Sequence, residues 1–202
     1  GATSLNSVEW VNPNNKNIKG RFTAGASIAH DIREEYTHAG YIVKGTGEYE
    51  KDLSKYSGKI LKPKRFNSKV ELFQTSPDFY IASSDSTSKN DRTGGKVSGG
   101  ISFNSTSASG SYSRYYSNMN HRYQGGTIKF DEGSVNASTK IPKVANLRFS
   151  GFYRRGTNDL GRNKNYFYDA NASRDISHWA KVQVGRRESL YDTKYDYETS
   201  MN

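Results

Sequence analysis

The 202 residues carry 30 Lys and Arg against 20 Asp and Glu, a formal charge of +10 and a pI near 9.6. Only 7 Leu, 10 Ile, 9 Val and 9 Phe supply strong apolar mass, yet 15 Tyr and 2 Trp argue for a folded, wet-surfaced β-rich chain. The longest apolar run, 79–82, is too short for a membrane helix, and the absence of Cys excludes disulfide scaffolds, Cys-ligated zinc and thiol catalysis.

Taken in chain order, strands are expected at 7–11, 20–29, 40–50, 69–74 and 78–83. The one candidate helix is 31–39. Further strands follow at 96–104, 110–118 and 126–131. The clearest alternation lies at 145–153, where Ala145, Leu147, Phe149, Gly151 and Tyr153 share one face and Asn146, Arg148 and Ser150 the other. Residues 178–184 place Ala180, Val182 and Val184 opposite Trp179, Lys181 and Gln183. A last strand sets Tyr191, Thr193, Tyr195 and Tyr197 opposite Asp192 and Lys194.

Many short strands between Gly, Asn and Asp turns predict an all-β protein, an antiparallel β-sandwich or sandwich-like barrel. The polar stretch 83–95 has linker composition, and 155–165 reads as a loop. This divides the chain into an N-terminal β-rich region at 1–83, a linker or long loop at 84–95, and a C-terminal β-sandwich region at 96–202. The two regions form either one domain or two.

No convincing catalytic constellation emerges, and no metal or cofactor is expected. His30, His38, His121 and His178 form neither His-x-His nor His-Glu-x-x-His. Gly25-Ala26-Ser27-Ile28-Ala29 and Ser86-Thr87-Ser88-Lys89 approximate hydrolase motifs without their structural context. Basic and aromatic residues interleave at 112–123 and 148–168. Rings that stack and cations that meet phosphate suit an anionic envelope surface, and also single-stranded nucleic acid, which ranks below it.

The order Gly94-Gly95-Lys96-Val97-Ser98-Gly99-Gly100, Ser111-Tyr112-Ser113-Arg114-Tyr115-Tyr116, His121, Thr127-Ile128 and Trp179-Ala180-Lys181-Val182 resembles the lactococcin-972-type bacteriocins. The resemblance covers about 94–131 and 176–197. It implies a small secreted cationic β-sandwich acting on bacteria through a lipid-linked cell-wall precursor of the lipid II kind. Tyr112, Arg114, Tyr115, Tyr116, His121, Arg122, Trp179 and Lys181 are then the candidate envelope-binding residues. A chain opening on Gly1-Ala2-Thr3-Ser4 fits a mature form whose signal peptide has been removed.

Three other functions remain. A pore-forming toxin would use 96–131 as a membrane hairpin, although Ser105, Ser107, Ser109 and Ser111 continue the parity of Ile101 and Phe103 and make the lipid side polar. A surface adhesin or carbohydrate-binding module would use the Tyr-rich sheet. A small basic nuclease would draw on His30, Arg33, Glu34, Glu35 and His38.

Overall fold

The computed structural model describes residues 2–31, 36–55, 63–76, 91–117, 119, 126–175 and 181–195. Ten strands follow one another: β1 (Ala2–Val11), β2 (Ile18–Asp31), β3 (Tyr36–Asp52), β4 (Pro63–Thr75), β5 (Arg92–Phe103), β6 (Thr106–Ser117), β7 (Ile128–Ile141), β8 (Ala145–Asn158), β9 (Gly161–Asp175) and β10 (Lys181–Tyr195). They form a single antiparallel sheet in the order β1 to β10, each strand bonded only to its neighbours in sequence. Among the described residues β1 and β10 do not pair, and the sheet is not closed into a barrel.

The all-β expectation holds, but its layers and strand lengths are corrected. One sheet of strands 10 to 17 residues long replaces two packed layers of short ones. The strands are long because alternation continues through stretches rich in Ser, Asn and Gly. In β7, Gly133, Val135 and Ala137 alternate with Glu132, Ser134, Asn136 and Ser138. The expected loop at 155–165 is the end of β8, a turn at 159–160, and the start of β9. The described parts of 178–184 and 191–197 belong to one strand, β10.

At the expected helix, Asp31 ends β2 and 36–39 open β3, with 32–35 outside the described residues. The strand at 78–83 and linker residues 84–90 also lie outside them. Arg92 to Gly95 belong to β5, which pairs with β4, so the N- and C-terminal regions share one sheet.

Register sorts the side chains into two faces. One row runs Trp10, Gly20, Gly47, Val70, Val97, Tyr112, Gly133, Tyr153, Tyr166 and Leu190 across all ten strands. Its neighbour on the opposite face runs Val11, Lys19, Glu48, Lys69, Ser98, Ser111, Ser134, Phe152, Phe167 and Ser189. The first face is apolar or aromatic through the middle of most strands; the second is dominated by Ser, Asn and charged groups.

The sheet curves around the polar face. The buried strand side chains Ser27, Thr75 and Tyr115 all lie there, and concavities of about 520 and 350 Å³ open on it. The apolar face looks outward, leaving Val8 at 67%, Leu72 at 65% and Val184 at 69% exposure. Among the described residues Tyr115 is the one buried large hydrophobic side chain. Among the described residues no extended hydrophobic core is present, and ladder hydrogen bonds and cross-strand pairs hold the sheet together.

Candidate functional site

The apolar residues form a belt that crosses the sheet obliquely. In β2 they are Phe22, Ala24, Ala26 and Ile28. The register row through Phe22 is apolar or glycine across β1 to β5 (Val8, Phe22, Gly45, Leu72, Gly95). It then becomes Arg114, Asp131, Arg155, Lys164 and Asp192 across β6 to β10. There the apolar residues lie further toward the opposite strand ends: Ala108, Ala137, Phe149 and Ala170 in one row, Leu147, Ala172 and Val184 in the next.

Between β2 and β9 the belt slides by roughly 1.3 residues per strand; with about 3.3 Å per residue and about 4.8 Å between strands, its course lies roughly 40° from the perpendicular to the strands. Aromatic rings trace both of its margins. Trp10, Tyr49, Phe66 and Phe103 follow one margin across β1 to β5, while Tyr112, Tyr153, Tyr166 and Tyr168 follow the other across β6 to β9. Trp10 lies flat over Gly20, where a Cβ would fall 2.0 Å from the indole nitrogen, so the ring's place on the sheet requires glycine beneath it. Arg186 and Glu188 place charge inside the belt, opposite Ala170 and Tyr168, and they pair with each other, with Tyr168 adding a hydrogen bond to the carboxylate.

The polar face is lined differently along its width. Across β1 to β4 opposite charges alternate: Arg21 with Glu9 at 3.7 Å, Lys69 with Glu48 at 2.8 Å, Arg65 with Glu50 at 2.6 Å and Lys44 with Glu71 at 3.2 Å. Across β5 to β7 it becomes a hydroxyl surface, with Ser107 bonded to Ser138 at 2.9 Å and Ser111 to Ser134 at 2.8 Å. Toward β10, Arg187 meets Asp169 at 3.0 Å. Exposed pairs of this kind add little stability, but they keep fixed charge and hydrogen-bonding groups on this concave wall.

One aromatic and guanidinium cluster stands out on that wall. Tyr115 stacks on Phe130 at 4.9 Å and meets Phe73 at 6.5 Å. Arg92 sits 4.6 Å over its ring, and Arg154 sits 4.6 Å over Phe130. The Tyr115 hydroxyl donates to Glu132 at 2.8 Å, and Arg154 pairs with Glu132 at 3.0 Å. Burial holds the Arg92 guanidinium below its ordinary pKa, and burial followed by the bond to Glu132 pushes the Tyr115 phenol up. Gly94 makes room: a Cβ there would lie 2.4 Å from the Arg114 carbonyl oxygen and 2.6 Å from the Tyr115 Cα.

The sequence-predicted envelope residues are divided by this geometry. Tyr112, Arg114 and Tyr116 lie on the apolar face, and Tyr115 and Lys181 on the polar face. His121, Arg122 and Trp179 lie outside the described residues. Tyr112 and Arg114 come together on Asp131, each at 2.6 Å. Of the nuclease set, His30 and His38 fall in paired strands, opposite Thr37 and Ala29, and Arg33, Glu34 and Glu35 lie outside the described residues. Among the described residues no group of three His, Cys, Asp or Glu is placed to hold a metal, and no helix is long and apolar enough to cross a membrane.

Sequence reasoning missed the belt itself. Its signal was parity counted hairpin by hairpin, because the apolar parity changes at some turns, as between β5 and β6, and is kept at others, as between β7 and β8.

The Asp131 carboxyl is pushed up by burial, but hydrogen bonds from Tyr112 and Arg114 outweigh that and hold it below its ordinary value of 3.8. A lowered native pKa stabilises above the unfolded value and is lost as pH falls through the native one. Stability therefore falls below about pH 4, and Asp131→Asn should reduce the difference between denaturant titrations run at pH 6 and pH 3.

No family model, curated protein or solved structure matches the chain.

Proposed function

We propose that this sheet is part of the wall of a transmembrane β-barrel pore, its apolar face in lipid and its polar face lining a water-filled path. The oblique apolar belt carries this reading. Strands of membrane barrels tilt about 35–45° and present an outward apolar band flanked by aromatic girdles, with alternate residues facing a polar interior. A belt inclined by roughly 40° becomes level with a bilayer only when the strands tilt by that amount. The alternation of small apolar residues with Ser, Asn and paired charges follows from having lipid on one side and water on the other.

The pore extends well beyond a single hairpin at 96–131, because every described strand contributes to both faces. Open sheet edges are not tolerated in hydrocarbon, so β1 and β10 are paired in the working assembly. Cations outnumber carboxylates on the polar face, favouring passage of small anions. A cell-envelope location fits this reading, with the chain acting within a bilayer as part of its structure.

The test is reconstitution. Refolded protein added to planar phosphatidylcholine bilayers should give stepwise, near-ohmic currents with an anion preference that weakens as salt rises. In a Trp179→Phe background, Trp10 emission should shift to the blue on insertion into vesicles. Protein that stays in the aqueous phase, with unchanged emission and silent bilayers, would refute the proposal.

A further inference from the structure

Just past the tyrosine margin on β8 and β9, the outward face changes abruptly from rings to cations. Tyr153 is followed two residues along its strand, on the same face, by Arg155, and Tyr166 is preceded in the same way by Lys164. Arg155 and Lys164 are direct partners across the β8–β9 ladder. One row further out, Lys129, Thr157, Arg162 and Lys194 are neighbours on β7 to β10. Adjacent strands are about 4.8 Å apart and same-face neighbours about 7 Å apart, so these five cations share a patch roughly 14 Å by 7 Å.

The carboxylates of this surface are Asp131, ladder partner of Arg155, and Asp192, ladder partner of Lys164, and the cations around them remain in excess. Asp131 is occupied by Arg114 and Tyr112. The Arg155 Nε is buried and makes no hydrogen bond among the described residues. Like charges gathered on one edge of a sheet repel unless an anion joins them. Here they stand where phosphates of a bilayer would lie, one step above the rings that mark its interface.

Resting on the membrane reading above, we infer that Lys129, Arg155, Arg162, Lys164 and Lys194 form a docking surface for the phosphate of an anionic membrane lipid, whose acyl chains lie along the apolar belt below. The guanidiniums supply forked donors to phosphate oxygens and the ammonium groups supply point charge. Tyr153 and Tyr166, with ring centres 5.1 Å apart, form the floor against which the glycerol end of the lipid packs.

The experiment is native mass spectrometry of the protein folded in neutral detergent and titrated with phosphatidylglycerol or with phosphatidylcholine of the same chains. Preferential retention of phosphatidylglycerol is expected, reduced about tenfold or more by Arg155→Gln with Lys164→Gln, and unchanged by Arg148→Gln with Arg187→Gln on the polar face. Equal retention of the two lipids, or the same loss from both double variants, would overturn the inference. So would displacement of the lipid by millimolar inorganic phosphate, which would mark a site for the free anion. Insertion into pure phosphatidylcholine vesicles, scored by protease protection, separates the two proposals. If insertion fails, the membrane reading falls. If insertion holds without lipid preference, the docking surface alone falls.

Discussion

Val135→Arg should cost about 2–4 kcal/mol of folding free energy in a bilayer, while Asn136→Arg, one residue along the same strand, should cost under about 1 kcal/mol. Val135 lies on the apolar face between Gly110 and Gly151 and is 45% exposed. Asn136 lies on the polar face among Ser109 and Ser150. In water, neither change buries a charge or opens a cavity, so the two variants would be nearly equal. In lipid the first arginine must be drawn out of hydrocarbon, while the second meets water. Urea titrations of folding into vesicles measure the difference, and equal midpoints for the two variants would remove the case for a lipid-facing belt.

Tyr115→Ala is expected to be the most damaging truncation on the polar face, at about 3–5 kcal/mol. The ring is 5% exposed and connects Phe73, Phe130 and Arg92. Removing it empties the one well-covered aromatic site among the described residues and leaves the Arg92 guanidinium without the ring beneath it. Tyr115→Phe keeps the packing and removes the hydroxyl that donates to Glu132; since Arg154 still pairs with that carboxylate, the cost should be only about 1 kcal/mol. Tyr112→Ala, on the exposed side, should fall well short of Tyr115→Ala. Denaturant midpoints of the three variants check this order, and a Tyr112 loss equal to that of Tyr115 would mean the rings share one environment.

Much of the fold is visible in the residues, and β8 is the best case. Ala145, Leu147, Phe149, Gly151 and Tyr153 lie on one face and Arg148, Ser150 and Arg154 on the other, as alternation requires. At β9 the same logic is harder to see. Asn163, Asn165, Asp169 and Asn171 resemble turn residues, because in water-soluble proteins such clusters mark loops. Here they occupy the polar face, and the alternating partners Tyr166, Tyr168, Ala170 and Ala172 on the other face carry the strand.

The hairpin of β5 and β6 hides its belt in another way. Carrying parity straight through 105–111 puts serines on the apolar side. The two-residue turn at 104–105 resets it, so that Ile101 faces Ala108 and Val97 faces Tyr112. Asp131 as the meeting point of Tyr112 and Arg114 was not legible, since cross-strand register, and not local spacing, brings it there.

Strand order has a consequence for how such a protein can change size. Among the described residues backbone pairing runs only from each strand to the next, and contacts that skip a strand are made by long side chains, as where Tyr115 of β6 meets Phe73 of β4. The ladder bonds of each described hairpin go to its immediate neighbours, so a hairpin is a modular unit of construction. Deleting or duplicating one removes or adds two neighbouring ladders and leaves the up-and-down alternation intact, whereas deleting a single strand would force a parallel pairing for which no connection exists. The proposed barrel could therefore lengthen or shorten its circumference by gene duplication in steps of two strands, with each added pair bringing its own apolar and polar lining.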